Sequence, residues 1–333
     1  MIGTPLDGVD AVFADLDGVV YAGHQAIPHA VASINRAAET LRIGYITNNA
    51  SRTSASVAEQ LSGYGLSVVA EDVVTSPQAA ATLLAGLVPA GSTILVVGGE
   101  GLTSEVERAG FRPTSSADDH PAAVIQGFHP SVGWMHLAEA TYALATGIPW
   151  VATNTDWTIP QSRGIAPGNG TLVAAVHTAA GRLPVVAGKP EVAIFHEAMR
   201  RFSATRPLFL GDRLDTDILG AQRAGIPSAL VLTGIDRAKQ VLAADASMRP
   251  TYLLDDLRQL FEPYPAVGEV TDDVTGARFV TVGSSVISMT GNVVRVERPG
   301  ARRIDMLRAG AAAIWGSGLA IYGLDVAPEL YSL

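Results

Sequence analysis

The chain has 333 residues, 48% of them hydrophobic, no cysteine and a formal net charge of −9. That length is a prior for two or three domains with ample apolar material for a core; the missing cysteines exclude disulfides, thiolate metal sites and a cysteine nucleophile. The acidic balance argues against sequence-independent nucleic-acid binding, which needs clustered Lys and Arg to replace counterions. No basic segment precedes an apolar one at the start, and no apolar run approaches the roughly 18 residues of a membrane span. A soluble, cytoplasmic protein without nucleic-acid binding or membrane insertion is expected.

Short apolar runs alternate with amphipathic segments, the pattern of a parallel sheet covered by helices. AVFA at 11–14 runs into DLDG, IGYIT at 43–47 into NN, and PLFL at 207–210 into GD. Each reads as a buried strand that breaks into polar residues at its carboxyl end, where open doubly wound sheets bind ligands. Between the second and third lie strand patterns at 92–99, 122–128 and 149–154, a helical pattern at 131–147, and a helix from Thr171 to Gly181 opened by GNGT. Trp134, Met135 and Leu137 on the first of these helices read as core. VVGGEG at 96–101 lacks a dinucleotide fingerprint and reads as a turn into a helix. The core resumes at PVVAGKP, 184–190. After the Pro/Gly-punctuated FEPYPAVG (261–268), ARFVTVG and VISMTGNVVRVERPG alternate like a strand pair, RRIDMLRAGAAAIW looks helical and LAIYGL reads as a short strand.

The fold expected is α/β: a doubly wound, Rossmann-like parallel-sheet core (1–78 with 187–262), an inserted α/β cap (79–186) and a small C-terminal α/β domain (263–333).

Asp15 and Asp17 stand where the first strand meets a glycine turn. Two like charges near a buried site are costly unless a cation or proton shares them, and a hard divalent ion with oxygen ligands would do so. One carboxylate can then attack phosphorus while the other shuttles a proton. The plainer alternative is a pair of solvated turn aspartates. In GDRLDTDILG, Asp215 and Asp217 flank a helix start at Thr216, and a capping role suits Asp215. Asp212 directly follows a buried strand and wants a partner. In TNNAS the Thr47 hydroxyl and the N–H groups of Asn48 and Asn49 can hold phosphate oxygens, or merely form a turn and cap. Lys189, between glycine and proline, can offset anionic charge or be an ordinary exposed lysine.

Taken in order, strand–DLDG, strand–TNN, GKP and strand–GDRLDTD resemble the haloacid-dehalogenase-type phosphohydrolases. DLDGVVYAG with TNNASRT, GKP and GDRLDTDI is similar to the branch of p-nitrophenyl phosphatases and N-acetylglucosamine-operon-type enzymes, over residues 8–260. The resemblance implies Asp15 as nucleophile and Asp17 as general acid/base. It implies Mg²⁺ on the Asp15 carboxylate, the Asp17 carbonyl and Asp212, with Asp217 behind them, and Thr47, Asn48, Asn49 and Lys189 on the phosphoryl group. The insert resembles the large α/β cap of that branch, with 154–171 its expected specificity segment: Asn154, Asp156 and Arg163 can meet the leaving group and the backbone around Asn169, from Gly168 to Gly170, can approach it, or the stretch is simply a structured loop with a helix cap.

Core plus tail resembles the actinobacterial-type glycerol 3-phosphate phosphatases, whose tail looks like a remnant acetyltransferase fold. Here it lacks a clear pyrophosphate loop, so packing or support of a homodimer is expected of it, without acetyl-CoA chemistry. The substrate expected is a small phosphate ester, first glycerol 3-phosphate, then 2-phosphoglycolate, pyridoxal 5′-phosphate or a nucleoside monophosphate. A non-catalytic phospho-receiver or phospholigand-binding module is the alternative of another class. It explains neither the second aspartate nor the cap.

Overall fold

The computed structural model describes residues 3–161 and 163–332. The chain forms two compact units, one made by the chain up to Ile43 and again from Thr205, the other by Gly44–Ala204.

The first unit carries a parallel sheet in which Tyr252–Leu254, Ser228–Val231, Pro207–Gly211 and Ala11–Ala14 lie side by side. Every residue of the last three strands is buried, as expected of strands covered on both faces and therefore apolar without alternation. Phe13 and Phe209 are neighbours in register and fully buried. Asp10 fastens the entry of these two strands: its carboxylate accepts the Thr205 hydroxyl (2.6 Å) and the main-chain N–H groups of Thr205 (2.8 Å) and Arg206 (3.0 Å).

The tail belongs to this unit. Val267–Thr271, Arg278–Val282, Ser285–Thr290 and Val293–Arg298 form an antiparallel meander, extended in parallel by Asp325–Val326. The anticipated strand pair is thus part of five strands. LAIYGL is not a strand: Ile321–Gly323 is a 3₁₀ turn, and the pairing with Val293 and Val294 falls to Asp325 and Val326. The helix Arg303–Ser317 lies on this sheet, buried on nearly all sides from Ile304 to Ile314.

In the second unit, Val185–Val186, Trp150–Ala152, Ala123–Gln126, Thr93–Val97 and Arg112–Thr114 form a wholly parallel sheet. The helices Trp134–Leu144 and Asn169–Ala180 pack on one face, around Leu95, Val97, Val124, Trp150 and Ala152. Expectation fails at Trp134 and Met135, which are 72% and 65% exposed. The helix begins at Trp134, and its inward stripe is Leu137, Ala140 and Leu144, spaced by three and four residues; the first two positions lie off that stripe. The turn at 98–99 does lead into a helix, Glu100–Arg108. Asn169–Ala180 starts two residues earlier than its pattern suggested and ends at Gly181, whose φ of 66° is the left-handed conformation of a helix stop. An antiparallel hairpin, Thr158–Gln161 with Gly164–Pro167, stands apart from the sheet order. Tyr45, Ile46 and Thr47, at the end of Arg42–Thr47, pair in parallel with Val73–Thr75. Among the described residues no helix is long and apolar enough to cross a membrane.

Candidate active site

In the first unit, parallel register delivers the acidic residues to one place. Ala14 pairs with Leu210, and the Asp15 N–H still donates to the Leu210 carbonyl at 2.8 Å. Asp15 therefore leaves its strand alongside Gly211, the residue before Asp212. Asp15, Asp212 and Asp217 are all buried and offer carboxylate oxygens that lie within 4.8 Å of one another.

Asp217 is supplied by the π-helical turn Leu214–Ile218, a widened turn of the kind often found at functional sites. Its Oδ2 accepts the main-chain N–H of Asp212 (3.1 Å) and of Arg213 (3.2 Å), which orients the residues leaving the strand. The helical conformation starts at Leu214 rather than Thr216. Asp215 points outward and pairs with Arg213 at 2.9 Å.

Asp17 has a different setting from its neighbour. The strand ends at Ala14, and the chain then turns so that Val20 and Tyr21 both donate to the Leu16 carbonyl. Asp17 sits in that turn, exposed. The two-residue alternation of a strand does not extend to it.

A segment that the motif reading passed over completes the site. After the strand Ser228–Val231, residues 233–236 run across Asp212. The Thr233 hydroxyl donates to the Gly18 carbonyl at 2.6 Å, and the Ile235 N–H donates to Asp212 Oδ2 at 2.7 Å. Asp236 accepts the Leu214 N–H at 2.6 Å, and burial pushes its carboxyl above the usual carboxylate range. Gly234 passes so close that an added Cβ would lie 1.9 Å from Asp212 Oδ2. The signal in the sequence was present: SALVLTGID is a fourth apolar run breaking into glycine and polar residues.

These residues fit a hard divalent cation. The donors are carboxylate oxygens, they are buried, and three negative charges so close together are unfavourable without a positive partner.

The second unit assembles the other predicted residues. Thr47 and Lys189 are buried, and the Lys189–Pro190 peptide bond is cis. The Thr47 hydroxyl accepts the Asn49 N–H at 3.1 Å. Asn49 is exposed, and its side-chain oxygen accepts the N–H (2.9 Å) and hydroxyl (2.8 Å) of Ser51. The Asn48 carboxamide lies against the Lys189 main chain, with Lys189 N–H to Oδ1 at 2.8 Å and Nδ2 to the Lys189 carbonyl at 3.0 Å. Of the cap residues, Asn154 and Asn169 are buried and tie backbone: Asn154 Nδ2 donates to the Asn48 carbonyl (2.8 Å) and Asn169 Nδ2 to the Asn154 carbonyl (2.7 Å). Asp156 is half-buried, within 3.3 Å of Asn48 Nδ2, whereas Arg163 is exposed in the hairpin turn. Ser162, in the same segment, lies outside the described residues.

Comparison with known proteins agrees with this geometry. A model of the haloacid dehalogenase-like hydrolases matches residues 12–112, and a second, HAD-hydrolase-like model matches 186–260. The D-glycerol 3-phosphate phosphatase of Mycobacterium tuberculosis is 43% identical over 303 residues, 86% of this chain and 85% of that protein. An acid sugar phosphatase of Staphylococcus saprophyticus is 31% identical over 257 residues, 76% of this chain and 96% of its own. Among solved structures, the glycerol phosphate phosphatase of M. tuberculosis in complex with magnesium superposes with a TM-score of 0.84 at 40% identity, covering 95% of this chain and 93% of that one. The p-nitrophenyl phosphatase of Archaeoglobus fulgidus gives a TM-score of 0.69 at 26% identity, over 76% of this chain and 98% of its own. With carboxylates gathered at parallel strand ends and these relatives across most of its length, the chain belongs to the haloacid dehalogenase-like hydrolases, in the branch of the p-nitrophenyl phosphatases.

Proposed function

We propose that this protein is a Mg²⁺-dependent phosphatase that hydrolyses glycerol 3-phosphate to glycerol and phosphate through a phosphorylated Asp15. The observation that carries the reading is the convergence of Asp15, Asp212 and Asp217 at the carboxyl ends of buried parallel strands. The choice of substrate is supported by the 43% identity to the mycobacterial D-glycerol 3-phosphate phosphatase.

Mg²⁺ would be held by the Asp15 carboxylate, the Asp17 main-chain carbonyl and Asp212, with Asp217 behind them. When bound it supplies positive charge against the phosphoryl oxygens and lets Asp15 approach an anion. The chain's own groups do the rest. A carboxylate oxygen of Asp15 attacks phosphorus in line, and the bond to the ester oxygen breaks. Asp17 delivers its proton to the leaving alkoxide, releasing glycerol. Asp17, now a carboxylate, takes a proton from water as that water attacks the phosphorus of phospho-Asp15, and phosphate and the original carboxylate are restored. The exposed turn position of Asp17 suits a group that exchanges protons in both halves of the cycle. The Thr47 hydroxyl and the Asn48 N–H bind phosphoryl oxygens, Asn49 supports Thr47 through its own N–H, and Lys189 offsets the phosphoryl charge. Unaided phosphate monoester hydrolysis is among the slowest of biological reactions, and its catalysis is chiefly positioning and charge stabilisation. Residues 79–186 serve as the cap that excludes water and reads the leaving group.

Purified protein is assayed on glycerol 3-phosphate, 2-phosphoglycolate, pyridoxal 5′-phosphate and nucleoside monophosphates, with Mg²⁺ and with EDTA. Turnover of glycerol 3-phosphate with the highest kcat/KM, lost in EDTA and reduced at least about 10⁴-fold in Asp15→Asn, is expected. Metal-independent turnover, or an active Asp15→Asn, removes the mechanism. A stable phospho-Asp15 without phosphate release would identify a receiver instead.

A further inference from the structure

Within this phosphatase reading, on which the inference rests, we propose that Asn48 is a positioning residue: its side chain sets the Lys189 main chain and does not itself bind the phosphoryl group. Hydrogen-bonding capacity decides between the two roles. A carboxamide has two N–H donors and one acceptor oxygen. Asn48 Oδ1 accepts the Lys189 N–H at 2.8 Å, and Nδ2 donates to the Lys189 carbonyl at 3.0 Å. The remaining N–H faces the Asp156 carboxylate, 3.3 and 3.4 Å from its two oxygens. Both donors are therefore committed within the protein, and an acceptor oxygen has nothing to offer a phosphate. The orientation of the amide follows from the same pairing, because the Lys189 N–H requires the oxygen on its side.

Residues 141 positions apart in sequence are thus joined by a closed two-bond ring, with the Lys189 N–H and carbonyl both bonded to one side chain. The ring is braced from behind. The Asn48 carbonyl accepts Ser76 Oγ (2.7 Å) and Asn154 Nδ2 (2.8 Å), and the Asn154 carbonyl accepts Asn169 Nδ2 (2.7 Å) at the first residue of its helix. Gly188 makes the approach possible: an added Cβ would lie 2.6 Å from Asn48 Oδ1 and 2.5 Å from the Thr153 carbonyl. The lysine backbone, the 47–49 segment and the 154–156 segment are one hydrogen-bonded unit. Substitutions at 154 or 156 are then felt at Lys189 without touching it.

A double-mutant cycle on full-length protein with Mg²⁺ and glycerol 3-phosphate tests this, using wild type, Asn48→Ala, Lys189→Ala and the double variant. A misplaced charged group costs on the order of 10²-fold in rate, so Asn48→Ala is expected to lower kcat by about that factor with KM within about threefold. In the Lys189→Ala background the same change should alter kcat by less than about threefold, because its target is gone. If the two losses multiply in full, Asn48 contacts the reacting group independently and the inference is overturned; an unchanged kcat in Asn48→Ala overturns it as well. Should Asn48→Ala melt early, Asn154→Ala, which removes the brace on the Asn48 carbonyl and the bond to the Asp156 N–H while leaving the ring itself, takes its place with the same required non-additivity and a smaller first effect. Absence of ester hydrolysis by the wild type sinks the phosphatase reading itself, a result separate from any outcome of the cycle.

Discussion

Replacing Gly234 by alanine tests whether the 233–236 segment holds Asp212 for a metal. The new Cβ would fall 1.9 Å from Asp212 Oδ2 and 2.3 Å from its Cβ and Cγ. Ordinary contact between such atoms begins near about 3.5 Å, so either the carboxylate or the loop must move by roughly 1.5 Å. The loop is fastened on both sides of Gly234, by the Thr233 hydroxyl to the Gly18 carbonyl and by the Ile235 N–H to Asp212 Oδ2. Rotation of the Asp212 side chain about Cα–Cβ is a softer motion than shifting the main chain of the loop, so the carboxylate is the group expected to yield. Overpacking of this kind costs about 1–3 kcal/mol, small enough for the protein to fold. Mg²⁺ demands near-octahedral geometry at about 2.0–2.1 Å, so a displacement of this size is large beside its tolerance. The half-saturating Mg²⁺ concentration should rise at least about tenfold, and kcat at saturating Mg²⁺ should fall about 10²-fold. Direct titration of Mn²⁺ by calorimetry gives the binding arm without turnover, and thermal melting reports folding. A Gly234→Ala protein that melts like wild type, binds Mn²⁺ as tightly and turns over as fast would refute the assignment.

Removing Arg308 by Arg308→Ala strands the buried Asp305 carboxylate (2.8 Å) and vacates the Leu253 carbonyl and Gln259, so about 3–5 kcal/mol of stability should be lost in urea unfolding, with Arg308→Met costing less through retained packing. Asp10 lies below the usual carboxylate range, chiefly through the Thr205 hydroxyl. A depressed folded pKa stabilises above the unfolded value of 3.8 and is lost as pH falls through the folded value, so Asp10→Asn should be less stable than wild type at neutral pH. The difference should vanish in melts taken well below pH 3.8.

The parallel strands were readable because strands buried on both faces carry uninterrupted apolar runs, and AVFA and PLFL are such runs. Asp15 and Asp212 were readable because a carboxylate at the end of a buried strand is costly unless shared, a cost that depends on residue type and position; Asp217, beyond the strand on the 214–218 turn, was pointed to only by the resemblance of GDRLDTDI to the family. Asn48 shows the limit. Its type announces an amide, yet whether that amide meets a ligand or the backbone of residue 189 is decided by a contact across 141 residues, which no local pattern contains. The 233–236 segment was passed over for a related reason, since Thr-Gly-Ile-Asp reads as a turn until Asp212 is seen beneath it. Trp134 and Met135 were misplaced because hydrophobicity was weighed without phase; only Leu137 shares the stripe of Ala140 and Leu144. The strand Asp325–Val326, two residues long, has no period to detect.

The tail bears on the site from behind. Leu214 and Ile218, on the turn that carries Asp217, belong to the same buried cluster as Val241 and Leu242 of the helix Ala238–Ala243 and Leu307, Ala311 and Ile314 of the tail helix. Trp315 Nε1 donates to the Val241 carbonyl at 3.2 Å, and Arg308 reaches the carbonyl of Leu253 at the edge of the parallel sheet. A helix buried on almost every side cannot be an appendage that leaves its neighbour intact on removal. Its apolar surface and that of the sheet edge exist for each other. Carboxylates crowded within 4.8 Å repel whenever no cation shares their charge, and the backbone donors from 212, 213 and 235 resist that repulsion only if their own segments stay in place. Leu214 and Ile218 share their buried cluster with tail residues, so the packing that holds the 214–218 turn extends into the tail. The tail is therefore expected to act on Asp212 and Asp217 through packing, by holding the segments that carry them.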